Sequence, residues 1–139
     1  MRIIRYAVVA SLAALIAACG PSGTPGPGAK RDPGASVYGR NCLSCHQKDG
    51  HGLTPAQPSL AGSPTANGDQ EALVRWVLFG ERPATLVRHD TPLVMPQFAW
   101  LKDEEVAAAL TYIRTNFGNS SSPVTPDVVA RVRAAHAAK

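Results

Sequence analysis

The chain has 139 residues, 45% of them apolar and 17% charged, with a formal net charge of +4. Arg2 and Arg5 supply two of those positive charges, so the rest of the chain carries an excess of only +2. A chain of this size holds one small core, and so mild a charge, with no basic run and few aromatic residues, excludes a nucleic-acid-binding surface built on Lys and Arg.

Met1 to Arg5 carries two arginines, and Tyr6 to Ala18 carries no charge. That apolar stretch is too short for a comfortable membrane span and suits the h-region of a secretory signal. It ends in Leu15-Ile16-Ala17-Ala18-Cys19, which resembles a bacterial lipobox. Residues 1–18 are therefore read as a lipoprotein-type signal peptide, with Cys19 lipidated as the first residue of the mature protein. The plainer alternative is an ordinary signal with a cysteine beside its cleavage site. The expected location is the bacterial cell envelope on the periplasmic side. Gly20 rather than Asp after Cys19 favours the outer membrane in a Gram-negative cell. Residues 19–33 are dominated by Gly and Pro and read as a tether, reaching on the order of 40 Å when extended.

The folded part is expected over residues 34–118. Gly34 to Cys42 suits a short helix running into Cys42-Leu43-Ser44-Cys45-His46. That C-x-x-C-H run is the pattern of covalent haem c attachment. Each thiol adds across one vinyl group, so two sulfurs must reach two fixed points on a flat ring, and the next residue places its imidazole below the iron. A redox dithiol would want a βαβ context, and a zinc site a second ligand pair. The chain has three cysteines. With Cys42 and Cys45 on haem and Cys19 on lipid, none remains for a disulfide.

Asp49-Gly50-His51-Gly52 reads as a tight loop, and Pro55, Pro58, Gly62 and Pro64 as breakers of any helix between them. A long stretch without regular structure suits a segment that wraps a cofactor. Asp69 can cap a helix through Leu73, Trp76, Val77 and Phe79, with Gly80 as a left-handed stop. Val106, Leu110, Ile113 and Phe117 form one apolar stripe on a helix expected from Asp103 to Phe117 and closed by Gly118. Thr125 and Pro126 can open a final short helix inside a C-terminal extension over residues 119–139. No alternating strand pattern occurs, so the fold class is all-α.

His46 leaves the other axial position to Met95, His51, His89 or His136. Met95 is the sole methionine besides Met1 and stands in Val94-Met95-Pro96-Gln97-Phe98, where the proline holds the backbone extended. It is the favoured ligand, with His89 the serious rival. His51 is too close to His46 to reach round the ring, and His136 is expected to be solvated in a polar tail. Trp76 and Tyr38 read as core, Trp100 as packing near Met95, and Arg82 as exposed with a lesser chance of meeting a haem propionate.

Over residues 34–118 these features resemble the monohaem class I cytochromes c. Gly34 and Tyr38 look like the glycine and aromatic of that family's N-terminal helix, and Tyr112 like the aromatic opposite them. Pro58 resembles the proline whose carbonyl accepts the proximal histidine's ring N–H, and Met95-Pro96 resembles the distal ligand loop. Gly68-Asp69, Val77-Leu78-Phe79-Gly80, Asp103-Glu104-Glu105, Leu110-Thr111-Tyr112-Ile113-Arg114, Phe117-Gly118-Asn119 and Pro123-Val124-Thr125-Pro126 look like cytochromes c found beside quinoprotein dehydrogenases and terminal oxidases. Lys102 departs from the pattern, standing where Ser or Thr often caps the last helix, so Asp103 is expected to cap instead.

The resemblance implies a one-electron carrier with a single covalent haem c, with Cys42, Cys45, His46 and Met95 binding the cofactor and His46 and Met95 ligating iron. No catalytic group is expected. Expected partners are redox proteins, a dehydrogenase or a terminal oxidase, together with the membrane through the lipid anchor; nucleic acid is not a partner, and the chain is expected to be a monomer. The rivals are a fixed cytochrome subunit of a dehydrogenase or oxidase complex, and an open-site haem enzyme or sensor. Against the last, gas-binding helical bundles carry C-x-x-C-H near the C-terminus, whereas here it opens the domain.

Overall fold

A computed structural model of the chain describes residues 32–53, 56–86 and 94–139. The signal segment, Cys19, the tether up to residue 31, and His89 lie outside the described residues. Among the latter every regular element is helical: α1 (Pro33–Asn41), α2 (Leu43–His46), α3 (Pro64–Asn67), α4 (Gln70–Phe79), α5 (Asp103–Thr115) and α6 (Pro126–Ala137). The one β-type pairing there is an isolated bridge between Leu53 and Gln57.

Local chemistry sets most of the helix ends. The Asp32 carboxylate accepts from the N–H groups of Gly34 and Ala35 and opens α1, with Pro33 in the first turn. Asp69 accepts from the Ala72 N–H to open α4, and Gly80, at φ 71°, closes it in the left-handed region. Pro64 is not a breaker. It sits in the first turn of α3, where a missing N–H costs nothing, behind a Ser63 hydroxyl that accepts from the Ala66 N–H. The cap of α5 is Lys102, and Asp103 is the first helical residue. A lysine side chain has no acceptor, so the cap contact runs the other way, from the Lys102 N–H to the Glu105 carboxylate at 3.2 Å.

α1 crosses α5 so closely that a Cβ on Gly34 would stand 2.3 Å from the Ala108 carbonyl oxygen. Val37 and Tyr38 of α1 share one core with Val106, Leu110 and Ile113 of α5, and with Val74 and Leu78 of α4. Each such side chain, fully covered, contributes about 1.5–3 kcal/mol relative to exposure. Phe117 lies beyond the end of α5, at φ 57°, and its ring completes a cluster with Tyr38 and Tyr112 at centroid distances of 5.3 and 5.5 Å.

α6 runs for 12 residues and is an integral part of this core, to which it gives Val129 and Val132. His136 departs from expectation. It is half-buried, stacked on Phe79 at 3.7 Å between ring centroids, with Nδ1 3.0 Å from the Glu81 carboxylate. Trp100 packs on the Met95 segment as expected, its ring centre 6.4 Å from that of Phe98, and stands 70% exposed. Arg114 is buried and donates to the carbonyls of Ala66, Gly68 and Ser122, tying α5 to α3 and its C-terminal cap and to the segment before α6.

Candidate functional site

Cys42 joins α1 to α2, and Cys45 and His46 lie on the single turn that follows, whose backbone is held by the His46 N–H donating to the Cys42 carbonyl at 2.9 Å. Residues three apart on a turn share a face, so the two sulfurs project to one side. Cys42 is half-buried against the core, and burial, with Cys45 beside it, pushes its thiol up to about 11.

His46 is half-buried, and burial holds its imidazole below the usual histidine value, which keeps it neutral, the form that donates a nitrogen lone pair to a metal. The Pro58 backbone opposes that shift as an acceptor. Nδ1 is nonetheless buried without a well-formed hydrogen bond, so Pro58 stands close but short of ideal geometry. The loop returns Pro58 to this place through Gly50, whose carbonyl accepts from the N–H groups of Leu60 and Ala61 at 2.7 and 3.2 Å. Gly52 is required there: a Cβ on it would lie 2.4 Å from the Gln57 carbonyl oxygen, and its φ is +67°. After His46 the chain turns through Gln47 at φ 61°, held by the Tyr38 hydroxyl donating to the Gln47 carbonyl at 2.6 Å.

Met95 lies in an extended segment before α5, half-buried and packed against the same core as Cys42. Past Pro96 the segment is anchored by the Phe98 N–H donating to the Val77 carbonyl at 2.9 Å. Among the other ligand candidates, His51 is exposed with its backbone N–H on Asp49, and His136 is engaged with Glu81. Arg82 is exposed and lies over the Trp76 ring at 5.2 Å.

These residues fit a haem. Two thiols share one face, a neutral buried imidazole follows them, and a soft thioether packs on the same core. Leu43, Leu53 and Val94 are exposed large apolar side chains on the flanking segments, 80% exposed in the case of Val94, as expected of walls that a flat apolar ring would cover. A bare metal ion fits poorly: among the described residues no three His, Cys, Asp or Glu side chains converge on a point.

Two supporting residues were not legible as such. Asn119 is buried; its amide donates to the Leu60 and Ile113 carbonyls, while its oxygen accepts from the Gly62 N–H and from Asn67. It thereby holds the loop that carries Pro58. Arg133 bonds the segment after Met95 at Ala99, Leu101 and Asp103. A signal for Arg133 existed: Val129, Val132, Arg133 and His136 fall at offsets of one helix face.

Residues 32–117 match a family model described as Cytochrome c. The gluconate 2-dehydrogenase cytochrome c subunit of Pantoea cypripedii is 36% identical over 104 residues, covering 72% of this chain and 24% of that protein. Cytochrome c-552 of Thermus thermophilus is 36% identical over 111 residues, covering 73% of this chain and 84% of that protein. The fructose dehydrogenase cytochrome subunit of Gluconobacter japonicus is 34% identical over 113 residues, covering 76% of this chain and 23% of that protein. The chain thus spans about a quarter of the two dehydrogenase subunits and most of the length of cytochrome c-552.

Proposed function

The chain belongs to the cytochrome c family, and from that premise we propose that it is a membrane-tethered one-electron carrier, with one haem c linked through Cys42 and Cys45 and its iron held by His46 and Met95. The family's business is electron transfer rather than catalysis. Haem c supplies reversible ferric–ferrous exchange at its iron, and a thioether ligand favours the ferrous state and raises the potential. The chain's own residues hold and shield. α2 fixes both sulfur positions, burial keeps the His46 ring neutral, and the Pro58 carbonyl favours a proton on its ring nitrogen. Held by both His46 and Met95, the iron would offer no open place to a substrate.

The observation that carries this reading is the orphaned, buried Nδ1 of His46 beside Pro58, one residue past two sulfurs on one face. The test is direct. A chain matured with haem is expected to keep it through a denaturing gel and through acid–acetone extraction, whereas Cys45→Ala loses a linkage and most of the folded yield. Met95→Ala is expected to lose the weak far-red sulfur-to-iron band, lower the potential and admit cyanide. Extraction of the haem from wild type, or an unchanged spectrum in Met95→Ala, overturns the corresponding half.

Several relatives named as cytochrome subunits of gluconate, fructose and alcohol dehydrogenases support a dehydrogenase as the donor; a terminal oxidase is the proposed acceptor. The same names favour a second reading, a fixed subunit of such a complex. Likeness to cytochrome c-552 over most of that protein's length supports the free carrier, acting as a monomer. The size of the detergent-solubilised protein separates the two. The proposed anchor is Cys19, after removal of residues 1–18, with the outer membrane as its site. Cys19→Ser is expected to release a soluble periplasmic protein or stall processing, and a variant that still fractionates with membranes rules the anchor out.

A further inference from the structure

The family match ends at residue 117, and α6 begins at Pro126, yet one α6 side chain is committed to the segment that carries Met95. The Arg133 guanidinium spreads its three nitrogens over three partners: Nε donates to Asp103 Oδ1 at 2.7 Å, Nη1 to the Ala99 carbonyl at 2.7 Å, and Nη2 to the Leu101 carbonyl at 2.5 Å. All three lie in the five residues that join the Met95 segment to α5. The planar fork suits this, since each donor meets its acceptor without bending the guanidinium. Charge-assisted hydrogen bonds of this kind are the strong ones.

The rest of the segment is held at two further points. Phe98 and Leu101 are buried, and the Phe98 N–H bonds Val77 on α4. Gln97 lies against Gly80. Within the turn, the Leu101 N–H donates to the Phe98 carbonyl at 3.1 Å and the Lys102 N–H to Glu105 at 3.2 Å, while the Lys102 side chain offers no cap; Arg133 adds three bonds from another helix, the contacts that tie the turn to α6.

We propose that Arg133 is a positioning residue for Met95: from α6 it pins the Ala99–Asp103 turn, so that the thioether four residues upstream of that turn is presented in one place and reopens rarely. The inference rests on the reading of Met95 as distal iron ligand. Loss of an anchor lowers the free energy of local opening without requiring global unfolding, and the vacated axial position then admits a small anion. Cyanide association with the ferric protein therefore reports the open population.

The experiment uses the full haem-loaded chain as wild type, Arg133→Ala, Arg133→Lys and Val132→Ala. Val132 is buried on the same helix, beside Glu71, Arg75 and Glu81 of the α4 side, and its truncation loosens α6 packing while leaving all three Arg133 bonds in place. Arg133→Ala is expected to raise the cyanide association rate tenfold or more, since even one of the three charge-assisted hydrogen bonds it removes is worth about a factor of ten. Its far-red band should fade at a lower temperature, with haem content unchanged. Arg133→Lys should recover part of the difference, since an ammonium keeps the Asp103 pair but not the fork. Val132→Ala should lower global stability and leave the cyanide rate near wild type. If Arg133→Ala yields no haem-loaded protein, Asp103→Asn weakens only the Nε contact and is expected to move the rate in the same direction by less. An Arg133→Ala rate equal to wild type, or a Val132→Ala rate raised as much, overturns the proposal while the ligand reading stands. A wild type without the far-red band overturns the ligand reading and the proposal with it.

Discussion

Gly34 has no side chain because the space is already taken by the Ala108 carbonyl and the Tyr112 Cβ, which a methyl group would meet at 2.3 and 2.7 Å. Backbone cannot move aside as a flexible side chain can, so Gly34→Ala pushes α1 off α5 and is expected to cost about 2–3 kcal/mol, the upper range for overpacking. Gly39 is the internal control. It sits on the same helix with nothing within 4 Å of a built Cβ. Gly39→Ala should therefore stabilise by about 0.5–1 kcal/mol through helix propensity. Urea denaturation of the haem-loaded protein reads both, and a pair of changes of the same sign would show that the crossing is looser than these distances imply. Tyr38 is a second residue whose chemistry is specific: its hydroxyl holds Gln47 in a left-handed conformation directly after His46. Tyr38→Phe keeps the ring cluster and loses the bond, at an expected cost of about 1 kcal/mol in the same assay.

Among elements, α5 buries the most residues yet has no side-chain acceptor at its cap. Lys102 stands in extended geometry at the cap position with no acceptor to offer. Lys102→Asp supplies one and adds a negative charge at the positive end of the helix dipole. It is expected to stabilise by about 1 kcal/mol, read as a higher midpoint in urea at unchanged slope. The α4–α6 junction gives the pH prediction. The hydrogen bond from Lys139, and after it the contact with His136, hold the Glu81 carboxyl below its ordinary value. A depressed folded value means that the contribution is present above the unfolded value and lost as pH falls through the folded one. Thermal midpoints should therefore fall on acidification through the carboxylate range, and Glu81→Gln should flatten that part of the profile.

The same elements show what the chain discloses before folding. The ends of α4 were readable because Asp69 and Gly80 act on neighbours within three or four residues. The C-x-x-C-H motif pointed to the cytochrome c family because its chemistry is carried by residue type and spacing. α3 was misread because Pro64 signals a break in a helix interior and a start at its first turn, and only the Ser63 cap tells the two apart. His136 was misread as solvated because its partners, Phe79 and Glu81, lie more than fifty residues away in the chain. Asn119 bonds Leu60, Gly62 and Asn67, and Arg133 bonds Ala99, Leu101 and Asp103, all more than twenty-five residues away in the chain; the spacing on α6 marks Arg133's face but not these partners.

At the scale of the whole molecule, electrostatics decides how the carrier meets its partners. The formal excess is small once Arg2 and Arg5 are set aside. The surface beside the C-x-x-C-H turn carries exposed Lys48 and Asp49 next to exposed Leu43 and Ser44, with exposed Arg82 elsewhere in the chain already engaged over Trp76. A ring of lysines would steer an acidic partner over a Debye length and make association fall steeply with salt. Charges of both signs cancel beyond a few ångströms and steer little. The proposed tether lessens the need for steering, because a domain on a linker meets any partner within that linker's reach at a high effective concentration. Contact would then be made through a small apolar patch, at the low end of interface sizes and quick to release. Stopped-flow reduction by membranes bearing the native donor, from about 0.01 to about 0.15 M ionic strength, is the measurement, since the screening length shrinks from about 30 to about 8 Å across that range. The rate is expected to change by less than about threefold, against tenfold or more for a steered pair. A steep fall would place a one-signed charge patch at the docking surface and refute the apolar contact.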